Sequence, residues 1–139
     1  MRLCFDIDGT ICEEKPKGTS YEEYANVKPI KPMIDFLNKM YDAGHYIILN
    51  TARHMVSTDS NLGLLNARIG KITYEWLDKH GVKYHEIYFA KPYADMYIDD
   101  KSILPFEALI ASENLKDENE FKEYFEHLNN LYKQNNDIK

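Results

Sequence analysis

The stretch Cys4-Phe5-Asp6-Ile7-Asp8-Gly9-Thr10 (CFDIDGT) puts two acids at the end of an apolar run, close to the start of a 139-residue chain. Burying a carboxylate is costly, so an isolated one must be matched by a cation, be neutralised by a proton, or be put to use. Residues 2–8 read as a strand that Gly9-Thr10 turns, and positions two apart on a strand point the same way. Asp6 and Asp8 can therefore address one ligand while Ile7 packs on the opposite face.

Working outward, the segment 11–31 is polar, rich in Lys, Glu and Tyr, and broken by Pro16, Gly18 and Pro29. A connection this long in a small domain is commonly functional, and it reads as a flap. A helix is predicted over about 32–43, with Pro32 in its first turn, apolar Ile34, Leu37, Met40 and Tyr41 at helical spacing, and Gly44 as its stop. Residues 45–53 (HYIILNTAR) read as a buried strand running into polar residues, and 54–67 as a loop. The next helix, 68–81, sets Ile69, Ile72, Trp76 and Leu77 on one face. Short strands are predicted at 85–90 and 95–100, a helix from Pro105 to about Ala111, and an amphipathic helical extension over 118–133. Its apolar side carries Phe121, Tyr124, Phe125, Leu128 and Leu131, and the tail from Gln134 reads as frayed.

Strands alternating with helices predict an α/β fold, a Rossmann-like three-layer α/β/α sandwich around a mainly parallel sheet. The length fits one domain over 1–139. A formal charge of −6 argues against a general nucleic-acid binder. Cys4 and Cys12 read as free thiols of a reducing compartment, and the acid-interrupted N-terminus as neither a signal peptide nor a membrane span, which together predict a cytoplasmic protein. The five histidines have no close metal-ligand spacing, so a zinc site is not expected.

In such folds ligands sit at the carboxyl ends of the strands. Asp6 and Asp8 come from the first strand, Thr51, Ala52 and Arg53 from the second, Lys91 from the segment after the third, and Asp99 and Asp100 from the fourth. These groups suit a hard metal ion and a phosphate. The order DIDGT, Thr, Lys, DD resembles the four-motif pattern of the haloacid dehalogenase-type (HAD) phosphatases. A two-component receiver domain has similar groups in a different order, with its phosphorylated Asp on a later strand.

The HAD resemblance implies a Mg²⁺-dependent phosphatase acting through an aspartyl-phosphate. Asp6 is then the nucleophile and Asp8 the general acid and base. Thr51 and Lys91 bind phosphate, and Mg²⁺ is held by Asp6, Asp8 through its main-chain carbonyl, and Asp100. Asp99 either supports Asp100 from near Lys91 or takes its place. Neither 11–31 nor 54–67 can form a separate cap domain, so a capless enzyme is expected, with a homo-oligomer as one way to cover the open site.

More narrowly, FDIDGTIC, NTARHM and the stretch from Ile69 to Ile103 resemble the capsule-biosynthesis branch of these phosphatases. That implies a small-molecule phosphate ester, such as a sugar or capsule-precursor phosphate. Phosphoryl transfer to a second substrate, or a non-catalytic phosphate-binding subunit, are the alternatives on the same fold. For substrate specificity the candidates are Arg53, read evenly as an anion clamp or as the partner of a surface acid, and His54. Tyr21 and Tyr24 could line the pocket or merely pack, while Arg68 and Lys71 read as solvated.

Overall fold

The structure, a computed structural model, describes residues 1–115 and 117–136. It divides into two compact units, one spanning Arg2–Ala94 and the other running from Asp95 onward together with Met1.

In the first unit, β1 (Arg2–Phe5), β2 (Tyr46–Asn50) and β3 (Glu86–Tyr88) form a parallel sheet in the order β1-β2-β3. Phe5 lies opposite Leu49, and Asn50 opposite Tyr88. Ile47, Leu49 and Thr51 are buried on one side of β2 and alternate with half-buried Tyr46, Ile48 and Asn50, as a strand covered on both faces requires. Helix α1 (Lys31–Asp42) follows the segment 11–31 and buries Met33, Ile34, Phe36, Leu37 and Met40 along one stripe. The expected Rossmann-like α/β class is what the chain adopts, and no separate cap domain occurs among the described residues.

Three local differences from the sequence reading have physical causes. The segment 11–31 contains a 3₁₀ helix, Tyr21–Asn26, started by the Ser20 hydroxyl accepting from the Glu22 N–H. The helix expected from residue 68 begins earlier. Asn61 caps α2 (Leu62–Leu65), which passes through a π-turn (Asn66–Gly70) into α3 (Lys71–Lys79). The apolar run Leu62, Leu64, Leu65 has too few residues to show a helical period of its own.

The third difference is larger. Residues 95–100 form no strand; Met96 and Ile98 are 75% and 91% exposed, and Asp99 instead closes a turn by accepting from the Lys101 N–H at 2.9 Å. An Asp ahead of a Lys-Ser pair competes for its own backbone in this way.

The second unit contains α4 (Pro105–Asn114) and α5 (Glu118–Asn136), with Ala108, Ala111 and Phe121 buried. On the apolar side expected of α5, Tyr124 is half-buried and Leu131 is 41% exposed. The Phe125 and Leu128 side chains and residues 137–139 of the expected frayed tail lie outside the described set, while 134–136 are helical. Among the described residues no helix is long and apolar enough to cross a membrane.

Candidate active site

The carboxyl ends of β1, β2 and β3 converge through sheet register alone. Thr51 continues the ladder by donating its N–H to the Tyr88 carbonyl at 2.9 Å, and the Lys91 N–H reaches the Thr51 carbonyl at 3.1 Å. Past β1 the chain folds back at once. The N–H groups of Thr10, Ile11 and Cys12 all point at the Ile7 carbonyl, at 3.1, 2.9 and 3.2 Å. That reversal requires a left-handed residue, which is Gly9 at φ 76°. Ile7 is fully buried, so its neighbours Asp6 and Asp8 are held at the sheet edge.

Each acid has its own cation. Asp6 accepts the Ile7 N–H at 2.8 Å on one oxygen and the Lys91 ammonium at 3.1 Å on the other. The residue just before Lys91, Ala90, adopts φ 70°, a conformation that costs a non-glycine residue roughly 1–2 kcal/mol. Asp8 takes Arg53 in a bidentate fork, Nε to one oxygen at 3.0 Å and Nη2 to the other at 2.8 Å. The Arg53 side chain is fully buried, whereas Asp8 remains 22% exposed. Burial works against the guanidinium charge, but the hydrogen bonds and charge of Asp8 outweigh it and raise the Arg53 pKa. The thiol of Cys12, 3.5 Å from Asp8, is pushed up to about 12, first by burial and then by the Asp8 charge.

Arg53 thus contacts neither a surface acid nor open solvent; the β2 end carries it inward onto the paired acid of the first motif. Nη1 donates to the Thr73 hydroxyl of α3 at 3.2 Å, and the Tyr24 ring covers the guanidinium at 4.4 Å. Thr51 is 1% exposed, and its hydroxyl accepts the Arg53 N–H at 3.0 Å. Ala52 packs against the buried cluster of Met55, Leu65 and Ile69, as do Tyr21 and Tyr24.

His54 follows at φ 65° with its ring 5.6 Å from Tyr21 and 6.3 Å from Tyr24. Burial, then the charges of Arg68 and Lys15, lower its pKa. Arg68, expected in solvent, is half-buried 5.7 Å over the Tyr21 ring, because the π-turn swings it toward the 3₁₀ helix. Lys71 is solvated and pairs with Glu75.

Asp6, Asp8, Thr51, Ala52, Arg53 and Lys91 therefore all lie in the Arg2–Ala94 unit, and Asp99 and Asp100 are exposed in the other. Two contributors escaped the sequence reading. Thr73 sits mid-helix with no local pattern to mark it, and Cys12 was read only for its redox state. Among the described residues no three His, Cys, Asp or Glu side chains converge into a cation cage. Mg²⁺ needs no such cage, since it keeps most of its waters and takes one or two carboxylates, so the partly exposed Asp6 is a fitting donor.

The crystal structure of a target protein from Vibrio cholerae is similar to this chain at 32% identity and a TM-score of 0.75, covering 91% of this chain and 97% of that one. The crystal structure of D,D-heptose 1.7-bisphosphate phosphatase from B. bronchiseptica, complexed with magnesium and phosphate, overlaps 81% of this chain and 60% of that one. At 13% identity and a TM-score of 0.46 that likeness is too loose to bear on activity. No protein-family model and no curated protein sequence matches the chain.

Proposed function

We propose that this chain, which belongs to one family with the Vibrio cholerae protein, is a capless HAD-type phosphatase that hydrolyses a small-molecule phosphate monoester. The observation that carries this reading is the pairing of Lys91 with Asp6 across 85 positions of sequence, at 3.1 Å. A lysine on an exposed-edge carboxylate supplies the positive charge that a dianionic ester needs in order to approach an anionic nucleophile.

An Asp6 oxygen attacks phosphorus, the bond from phosphorus to the ester oxygen breaks, and a proton supplied from solvent passes through Asp8 to the departing alkoxide. Water then attacks the phosphorus of the aspartyl-phosphate, giving its proton to Asp8 and releasing inorganic phosphate and the Asp6 carboxylate. Thr51 and Lys91 bind the phosphoryl oxygens. Asp6 and the Asp8 main-chain carbonyl would hold Mg²⁺ from the Arg2–Ala94 unit; the ion supplies charge neutralisation at the phosphoryl group when bound.

The capsule-branch resemblance favours a sugar or capsule-precursor phosphate as substrate. The test is phosphate release from a panel of sugar phosphates, amino-alcohol phosphates and nucleotides with Mg²⁺, with chelator, and with Asp6→Asn. Release by the wild type that chelator abolishes, Mg²⁺ restores and Asp6→Asn lacks is the expected result. Release that survives chelation or the substitution would contradict it.

A further inference from the structure

We propose that Arg53 is the positioning residue of the acid/base carboxylate, and that Tyr24, carried on the 11–31 segment, holds Arg53 in that role. The proposal rests on the phosphatase reading above.

Three separate parts of the first unit fix the guanidinium. Its Nη1 is tied to Thr73 on α3, Nη2 also faces the Cys12 sulfur at 3.5 Å, and its face lies 4.4 Å under the Tyr24 ring. What remains is Nε and Nη2, presented in one plane to the two oxygens of Asp8. A planar fork orients a carboxylate as a point charge cannot. Because the Arg53 side chain is fully buried and that of Asp8 is 22% exposed, the fork grips Asp8 from the protein side. The Cys12 thiol also donates to Oδ1, at 3.5 Å, so it is the remaining lone pair of Oδ2 that is left for the solvent side, where an ester oxygen would arrive.

Tyr24 is in turn held in place. It is half-buried, its ring meets that of His54 edge-on at 6.3 Å, and Tyr24 packs against the Met55, Leu65 and Ile69 cluster. The 3₁₀ helix carrying Tyr24 thus covers the guanidinium that grips the catalytic acid, and moving it away would open the buried fork to water. Positioning of Asp8 and placement of the 11–31 segment are one mechanical unit.

The test compares kcat/KM on two esters, p-nitrophenyl phosphate, whose leaving group departs without a proton, and glycerol phosphate, whose alkoxide needs one. Arg53→Lys keeps the charge but loses the fork. It is expected to lower kcat/KM on glycerol phosphate by about 100-fold, the low end of what general acid catalysis contributes, and on p-nitrophenyl phosphate by less than about 10-fold. Tyr24→Leu should show the same leaving-group-selective loss at a smaller size, and Tyr24→Phe, which keeps the ring face, should recover most of it. Tyr24→Leu combined with Arg53→Lys should be little worse than Arg53→Lys alone, as expected of groups acting in series. Equal losses on both esters, or fully multiplicative losses in the double variant, would overturn the positioning role while leaving the phosphatase reading intact. A wild type inactive on both esters would overturn that reading and this proposal with it.

Discussion

Asp6→Asn and Asp8→Asn should both abolish turnover yet differ sharply in stability. Asp8 is the carboxylate partner of a guanidinium with no exposed side-chain surface. Neutralising it leaves one amide oxygen to accept from the fork and strands a positive charge in the interior. Removing one member of a buried ion pair costs roughly 3–5 kcal/mol, and the acceptor that asparagine retains points to the lower end, about 3 kcal/mol. Asp6 and Lys91 are 33% and 16% exposed, so water takes over much of their pairing. Asparagine at position 6 also keeps an acceptor for the Ile7 N–H, so its cost should stay within about 1 kcal/mol. Urea unfolding separates the two cases. With a denaturant slope of about 1–3 kcal/mol per molar, Asp8→Asn should lower the midpoint by about 1–3 M and Asp6→Asn by much less. Coincident midpoints for the two variants would refute the argument, because they would mean that Arg53 does not depend on Asp8 for its charge.

Cys12, with its thiol pushed up to about 12, should resist iodoacetamide at about pH 8 in the folded protein and react once urea is added, as read by peptide mass mapping. Native modification of Cys12 would contradict its burial. Trp76 is 1% exposed and donates its indole N–H to the Val27 carbonyl at 2.9 Å. Trp76→Phe should therefore cost about 1–3 kcal/mol and speed proteolytic cleavage within 11–31. The folded-state pKa of His54 lies below its unfolded value, so the unfolded chain takes up the proton first as pH falls. The contribution of the neutral ring is whole above about pH 6.5 and is lost below it, so His54→Gln should flatten the fall in melting temperature between neutral and mildly acidic pH. An unchanged slope in that variant would remove His54 from the acid response.

Most of the candidate site was legible because its residues sit at or just past the ends of apolar runs. Asp6 after Phe5, Thr51 after the run Tyr46 to Leu49, and Lys91 after Tyr88-Phe89 are placed by strand register, which hydrophobic pattern fixes. The fate of Arg53 was not legible. Its partner lies 45 positions away, and a sequence shows that a cation is present without showing that the strand end turns it inward. Tyr24 and Arg68 were obscure for the same reason, since a 3₁₀ helix and a π-turn decide which way they face, and neither has a strong periodic signature. The stretch 95–100 has strand-like composition, yet Asp99 is taken up by local turn bonding, a competition that composition alone does not resolve.

The proposed mechanism turns on covalent phosphorylation of Asp6. Rapid acid quenching of the wild type during turnover of p-nitrophenyl phosphate with Mg²⁺, followed by peptide mass spectrometry, tests it most directly. The peptide containing Asp6 should gain the mass of one phosphoryl group, fragmentation should place it on Asp6, and Asp6→Asn should lack it. Steady release of phosphate with that peptide unmodified throughout, or a phosphoryl group on another residue, would contradict that mechanism.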